Sequence, residues 1–189
     1  MGRKRHILYI VIAIIALNAI YLIVHNMPEK SPPLNEFEKN IPHVTPQQFD
    51  KKKVHLYFAD KDNSFLIAEE RAISQSPDPA EFGKAIIEAL IKGPLEGLMR
   101  TIPVDTTLSA FYVTQDGIAY IDLTEEIQEH HPGGIKTELI TIYSIVNSLT
   151  LNISGIDAVK ILIGGHESMT LAGHIDLRFP FKANMLLIR

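Results

Sequence analysis

The chain has 189 residues, of which 46% are hydrophobic and 21% charged, with no cysteine and a formal net charge of −4. That composition suits one globular domain plus appendages and is unlike that of a disordered protein. The lack of cysteine excludes disulfides, a thiolate metal site, a cysteine nucleophile and a lipidated lipoprotein cysteine.

Arg3, Lys4 and Arg5 precede ILYIVIAIIALNAIYLIV, residues 7–24, an apolar run broken only by Asn18. The run is long enough to cross a bilayer as a helix. No A-x-A-like cleavage site follows between Ala13 and Asn26, so the pattern predicts an uncleaved signal anchor. With residues 1–6 in the cytoplasm, the positive-inside rule places everything after residue 25 across the cytoplasmic membrane. Taking the three basic residues from the 18 Lys and Arg leaves 15 against 22 Asp and Glu, a formal charge of −7 for the remainder. An acidic exported domain excludes nucleic acid as the expected partner.

Residues 25–52 carry Pro28, Pro32, Pro33, Pro42 and Pro46 with few apolar residues, the pattern of a linker. Largely extended, such a linker reaches up to roughly 85 Å from the membrane at about 3.1 Å per residue. The folded domain is expected over 53–189. Val54, Leu56 and Phe58 alternate with polar residues as a strand, Asp60 to Asn63 form a turn, and FLIAEERAI, residues 65–73, reads as a second strand.

Asp78 is placed as an N-cap with Pro79 at the first helical position and Glu81 three residues after the cap. Phe82, Ile86, Ala89 and Leu90 fall on one face of that helix. The helix ends at Lys92, Gly93 and Pro94, so LIKGPLEGLMRTIP is a helix stop and not a phosphate loop, which would need main-chain N–H groups at a helix N-terminus. Two alternating segments flank Asp116-Gly117, predicting a two-residue hairpin. A short helical turn through EEIQEHH leads to a long helix over IKTELITIYSIVNSLTLNIS, with Ile135, Leu139, Ile142, Tyr143, Val146 and Leu149 on its buried face. AVKILIGGHESMTLAGHIDL predicts a strand, a Gly164-Gly165 turn and a second strand or extended return.

The order β-β-α-β-β-α-β-β predicts an α+β fold, a small antiparallel or mixed sheet with two main helices packed on one face. LYFADKDNSFLIAEERAI, EALIKGPLEGLMRTIP, GIAYIDLT, ELITIYSIVNSLT and VKILIGGHESMTLAGHIDL resemble, in that order, the GerMN domain of sporulation and germination proteins, over residues 53–180. The resemblance implies an exported or anchored module of the bacterial envelope without catalytic activity. It also implies a fold similar to the ring-building domains that pack side by side in envelope channels. The family occurs in spore-formation proteins, in lipoproteins and beside peptidoglycan amidase domains. This chain differs from many relatives in its transmembrane run, its single domain copy and Ser148 where threonine is common.

Chemistry-bearing residues are few in pattern. His130 and His131 are adjacent and diverge by about 100° on a helix, which suits a solvated helix end better than a shared metal. His166, His174, Glu167 and Asp176 lack any metal-ligand spacing, and the serines show no nucleophile motif. Glu69, Glu70, Glu125 and Glu126 read as surface carboxylates. No catalytic residue, metal or cofactor is expected. The face of the long helix opposite its core stripe carries Thr137, Thr141, Ser144 and Ser148, with Asn147 at its boundary and almost no charge. Two readings fit such a row. It docks an envelope partner or a neighbouring copy, or its hydroxyls bond back to their own helix or to a second layer of the domain. The expected function is protein contact in the envelope; the alternative is a module that binds peptidoglycan glycan or peptide, with Tyr112, Tyr120 and Phe111 as stacking candidates.

Overall fold

The computed structural model describes residues 17, 18, 20–22, 25 and 50–189. Leu17, Asn18, Ile20, Tyr21, Leu22 and His25 are helical and exposed. The rest of the span expected at 7–24, the basic N-terminus and nearly all of the linker lie outside the described residues. Among the described residues no helix is long and apolar enough to cross a membrane. Residues 48–189 form one compact unit.

β1 (Lys51–Ala59) and β2 (Leu66–Ser74) pair antiparallel over their full length. Val54, Leu56 and Phe58 are fully buried at the expected spacing of two. The turn is held by Asp60, whose Oδ1 accepts the N–H groups of Ser64 at 2.6 Å and Phe65 at 3.2 Å. β1 starts at Lys51, two residues before the sequence boundary, because Lys51 and Lys52 are exposed and take their place by pairing with Ser74 and Ile73.

α1 (Pro79–Lys92) begins at Asp78, whose carboxylate accepts the Ala80 N–H at 2.9 Å. Phe82, Ile86, Ile87 and Leu90 are its buried residues, and Gly93 ends it with φ +88°. The Arg100 guanidinium donates to the carbonyls of Ile91 and Lys92, capping the helix end from across the chain.

β3 (Leu108–Val113) and β4 (Ile118–Leu123) form the expected hairpin, but its loop is longer than two residues: 115–117 lie between Thr114 and Ile118, which close it. Thr114 N–H donates to the Ile118 carbonyl at 3.0 Å, and Gly117 sits at φ +79° after the turn. That is the type of loop in which a glycine in the left-handed region closes the turn. After the one-turn α2 (Glu126–Glu129) comes α3 (Ile135–Thr150), which returns the chain to β5 (Ala158–Ile163), parallel to β4. A connection carrying a helix can deliver a parallel strand, and the nearly continuous burial of β5 is what such strands show.

The α+β class holds, and the single sheet does not. The described strands form a two-stranded sheet, β1-β2, and a three-stranded sheet in the order β3-β4-β5. The return strand expected after Gly164-Gly165 is also replaced. Residues 164–189 run as an irregular segment with single bridges, Phe181 to Val159 and Ile188 to Leu66, and a 3-10 turn at Met185–Leu187.

α3 lies between two apolar clusters. Ile142, Ile145, Val146 and Leu149 join the main core with Phe58, Ile86, Leu90, Ile121 and Ile161, while Ile140 packs with Tyr57, Ala59 and Leu66 in a second. Of the expected core positions, Ile135 is 65% exposed, and Leu139 and Tyr143 are half-buried. Ile140 and Ile145 take their place because the helix is covered on a second side.

That second side corrects the reading of the hydroxyl row as an exposed docking face. Thr141, Ser144, Asn147 and Ser148 are buried, and Thr137 is half-buried. Tyr57 N–H donates to Ser148 Oγ at 3.0 Å, and Ser144 Oγ donates to the Tyr57 carbonyl at 2.6 Å. The Asn152 amide meets the N–H and carbonyl of His55 at 2.9 and 2.8 Å. Ser144 and Ser148, neighbours one turn apart on the helix, thus satisfy both main-chain groups of Tyr57, and Asn152, just beyond the helix end, satisfies those of His55, so an edge of β1 that would otherwise be an orphan is paired.

Candidate functional site

The chain from Met99 to Asp105, which follows α1 and bridges to the end of β1, crosses the start of α3 and forms one wall of an open groove of about 540 Å³. Met99 fixes the near end by exchanging two main-chain hydrogen bonds with Ala59, at 3.1 and 2.8 Å. Asn63, His130, Pro132 and Thr137 complete the walls, and the buried Ile102 and Ile140 lie at the floor. On the lip Val104 is 70% and Met99 47% exposed. Apolar side chains held open beside a few oriented polar groups are the usual makeup of a binding cleft.

The polar groups of the groove are tied into the fold. Thr141 Oγ1 donates to the Thr101 carbonyl at 2.7 Å, and Thr101 Oγ1 lies 2.6 Å from Ser144 Oγ. His131, expected at a solvated helix end, is instead half-buried. Its Nδ1 accepts the Gly133 N–H at 3.0 Å, and its Nε2 lies 3.1 Å from Thr141 Oγ1. Burial lowers the His131 pKa below its ordinary value, opposed by the nearby Glu138 carboxylate. His130 points the other way, to the rim, with its Nδ1 3.3 Å from Asp105.

The remaining chemistry-bearing residues are brought into separate pairs. Glu138, the acidic residue of the first turn of α3, is fully buried. Its carboxylate accepts the N–H groups of Leu171, Ala172, His174 and Ile175 at 3.0, 3.0, 3.0 and 3.1 Å, and faces His174 Nδ1 at 3.1 Å. Burial pushes its pKa up, but the converging N–H groups and the imidazole outweigh that and hold it below the usual carboxylate value. Glu167 meets the buried Lys160 at 3.2 Å, and Asp176 meets Arg178 at 2.8 Å, which holds the Asp176 carboxyl at about 2. Among the described residues no three metal-capable side chains converge.

Glu138 and Lys160 were not singled out from the sequence. The only available signal was that each interrupts an otherwise uncharged buried stripe. Lys160 Nζ donates to the carbonyls of Leu177 and Arg178 at 3.2 and 2.5 Å, so the polar residues inside the fold hold the irregular C-terminal segment. Of the aromatic candidates, Tyr112 and Tyr120 stack on the outer face of the three-stranded sheet, with centroids 4.7 Å apart and planes at 7°. Phe111 turns inward, its ring against Gly83 of α1.

The sequence profile of a family described as sporulation and spore germination (Germane) matches residues 55–168, the stretch that builds both sheets and α3. No curated protein matches the chain. Solved structures do. A Clostridium perfringens protein designated a candidate lipoprotein is 28% identical, with 70% of this chain and 88% of that one covered and a TM-score of 0.51. The first GerMN domain of the sporulation protein GerM from Bacillus subtilis is 24% identical, with 70% and 98% covered and a TM-score of 0.57. The tandem GerMN domains of the same protein are 23% identical, with a TM-score of 0.54. There 70% of this chain aligns with 46% of that one, and both GerM likenesses concern the fold alone.

Proposed function

The chain belongs to the sporulation and spore germination family, and from that premise we propose an envelope protein whose GerMN domain makes protein contacts beyond the cytoplasmic membrane, without catalysis. In this reading residues 7–24 are a single-pass anchor with the N-terminus in the cytoplasm, and residues 25–52 carry the domain outward. The basic cluster ahead of an 18-residue apolar run supports the anchor, and a structural relative designated a candidate lipoprotein fits a membrane-attached setting. The context is sporulation, germination or a peptidoglycan-associated complex, with a second envelope protein or another copy of the chain as partner.

The groove is the observation that carries the reading. Its lip offers Met99 and Val104 to a partner's apolar side chain above a floor that is already packed. Glu138, Glu167, Asp176, His131 and His174 each have a structural partner, which also favours contact over chemistry. A photo-crosslinking residue at Val104 of the full chain in intact cells should give discrete adducts, and one at Glu88 on the outer face of α1 should not. An adduct of twice the chain's mass identifies self-association, and another mass identifies a different partner. Equal or absent adducts from both positions would sink the proposal.

A second reading rests on Tyr112, 47% exposed and stacked on Tyr120. Exposed aromatic faces suit the apolar side of a sugar ring, so cell-wall glycan is the alternative ligand. Co-sedimentation with purified cell wall that is lost in Tyr112→Ala/Tyr120→Ala would support it.

A further inference from the structure

His131 is held by two groups that together allow one protonation state. A main-chain N–H can only donate, so the Gly133 N–H at 3.0 Å requires Nδ1 to be unprotonated. The proton then resides on Nε2, which donates to Thr141 Oγ1 at 3.1 Å, and Thr141 passes its own hydroxyl hydrogen to the Thr101 carbonyl at 2.7 Å. This one-way chain joins the 131–133 turn, the start of α3 and the 99–105 wall, all of which border the groove. A second proton on His131 would set N–H against N–H at Gly133 and break the chain at its first link.

We propose that the groove is pH-sensitive: in its neutral form His131 closes the 131–133 turn by accepting the Gly133 N–H, and protonation in mildly acidic surroundings breaks that bond and loosens the turn that carries Pro132 into the groove wall. The device is a property of the fold and stands whether or not a partner occupies the groove.

The charged and titratable groups around His131 come from each element nearby. Glu138 of α3 favours the protonated ring, but its carboxylate is committed to four main-chain N–H groups and to His174 of the C-terminal segment. His130 at the end of α2 pairs with Asp105 of the opposite wall at 3.3 Å, and Arg100 is turned onto the carbonyls of Ile91 and Lys92. Burial of the ring wins over Glu138, so the closed groove binds its proton less readily than a loosened one. The sign follows. Above the ordinary histidine value of about 6.5 neither state is protonated, and as pH falls below it the loosened state takes up the proton first and gains population.

The test is hydrogen exchange of the full chain from about pH 7.5 to about pH 5.5, corrected for intrinsic rates, across the range where histidine changes charge. Protection at Gly133 and across the 130–133 turn should fall several-fold with acidification while β5 stays unchanged. His131→Asn keeps an oxygen acceptor near the Nδ1 position and cannot titrate, so its protection there should be independent of pH. His130→Asn should behave as the natural chain does. Unchanged protection in the natural chain, or the same loss in His131→Asn, would overturn the proposal. Should His131→Asn fail to fold, the His131 imidazole is titrated by NMR in the natural chain: a midpoint below about 6.5 supports the device, and one at or above that value overturns it.

Discussion

Asn147 and Asn184 face each other through two hydrogen bonds. The Asn147 amide nitrogen donates to the Asn184 carbonyl at 3.0 Å, and the Asn184 N–H donates to Asn147 Oδ1 at 2.9 Å. Asn147 is fully buried on α3, and Asn184 belongs to a segment without a sheet of its own. The side-chain amide thus supplies the donor and acceptor that a neighbouring strand would have supplied.

Replacing Asn147 by Ala should therefore release the C-terminal turn. Two half-buried main-chain groups of Asn184 lose their partners, at up to about 1–3 kcal/mol for each group left unsatisfied. Hydrogen exchange of the full chain should show protection lost around 181–189 before any change at β4.

The hydroxyl row gives a prediction opposite in kind to that for an exposed face. Ser144→Glu and Ser148→Glu would each force a carboxylate into a site with no exposed surface, beside Tyr57 main-chain groups that already need both hydroxyls. The expected outcome is a chain that does not fold, seen as loss of cooperative urea unfolding. The milder Ser148→Ala should cost about 1–3 kcal/mol through the orphaned Tyr57 N–H. Folded, fully stable glutamate variants would show that this face is accessible after all.

Glu138 sets an acid limit. Its folded pKa lies below the ordinary value of 4.5, so its contribution to stability is complete above that value and is lost as pH falls through the folded pKa. Urea midpoints of the natural chain should drop below about pH 4.5. Glu138→Gln should be less stable at neutral pH, since one amide oxygen cannot serve four converging N–H groups, and its midpoint should vary less over the acid range.

Gly83 is required by a neighbour and not by its backbone. A Cβ there would lie 2.4 Å from Phe111 Cζ and 2.6 Å from Cε1, in the seam between α1 and β3. Gly83→Ala returns up to about 1 kcal/mol of helix propensity, but overpacking of this kind costs about 1–3 kcal/mol. Net destabilisation is expected in urea unfolding, relieved when Phe111→Leu is added. A stabilised single variant would show that the ring moves aside freely.

The sequence by itself determined what depends on near neighbours. The alternation of Val54, Leu56 and Phe58, the Asp78-Pro79 start and Gly93 stop of α1, and the hairpin around Gly117 are all short-range matters of side-chain spacing, capping and permitted φ. The five ordered segments over 53–180 likewise carried the family, because order and spacing survive where individual residues do not. What only the tertiary structure decided is which surface meets which. A row of hydroxyls without charge reads the same whether it faces a partner or the chain's own β1 edge, and only the fold places Ser144 and Ser148 on Tyr57. The same holds for His131, Glu138 and Lys160, whose partners lie in the groove turn and the C-terminal segment. Burial and hydrogen-bond direction are properties of pairs distant in sequence, and no local pattern in the chain encodes them.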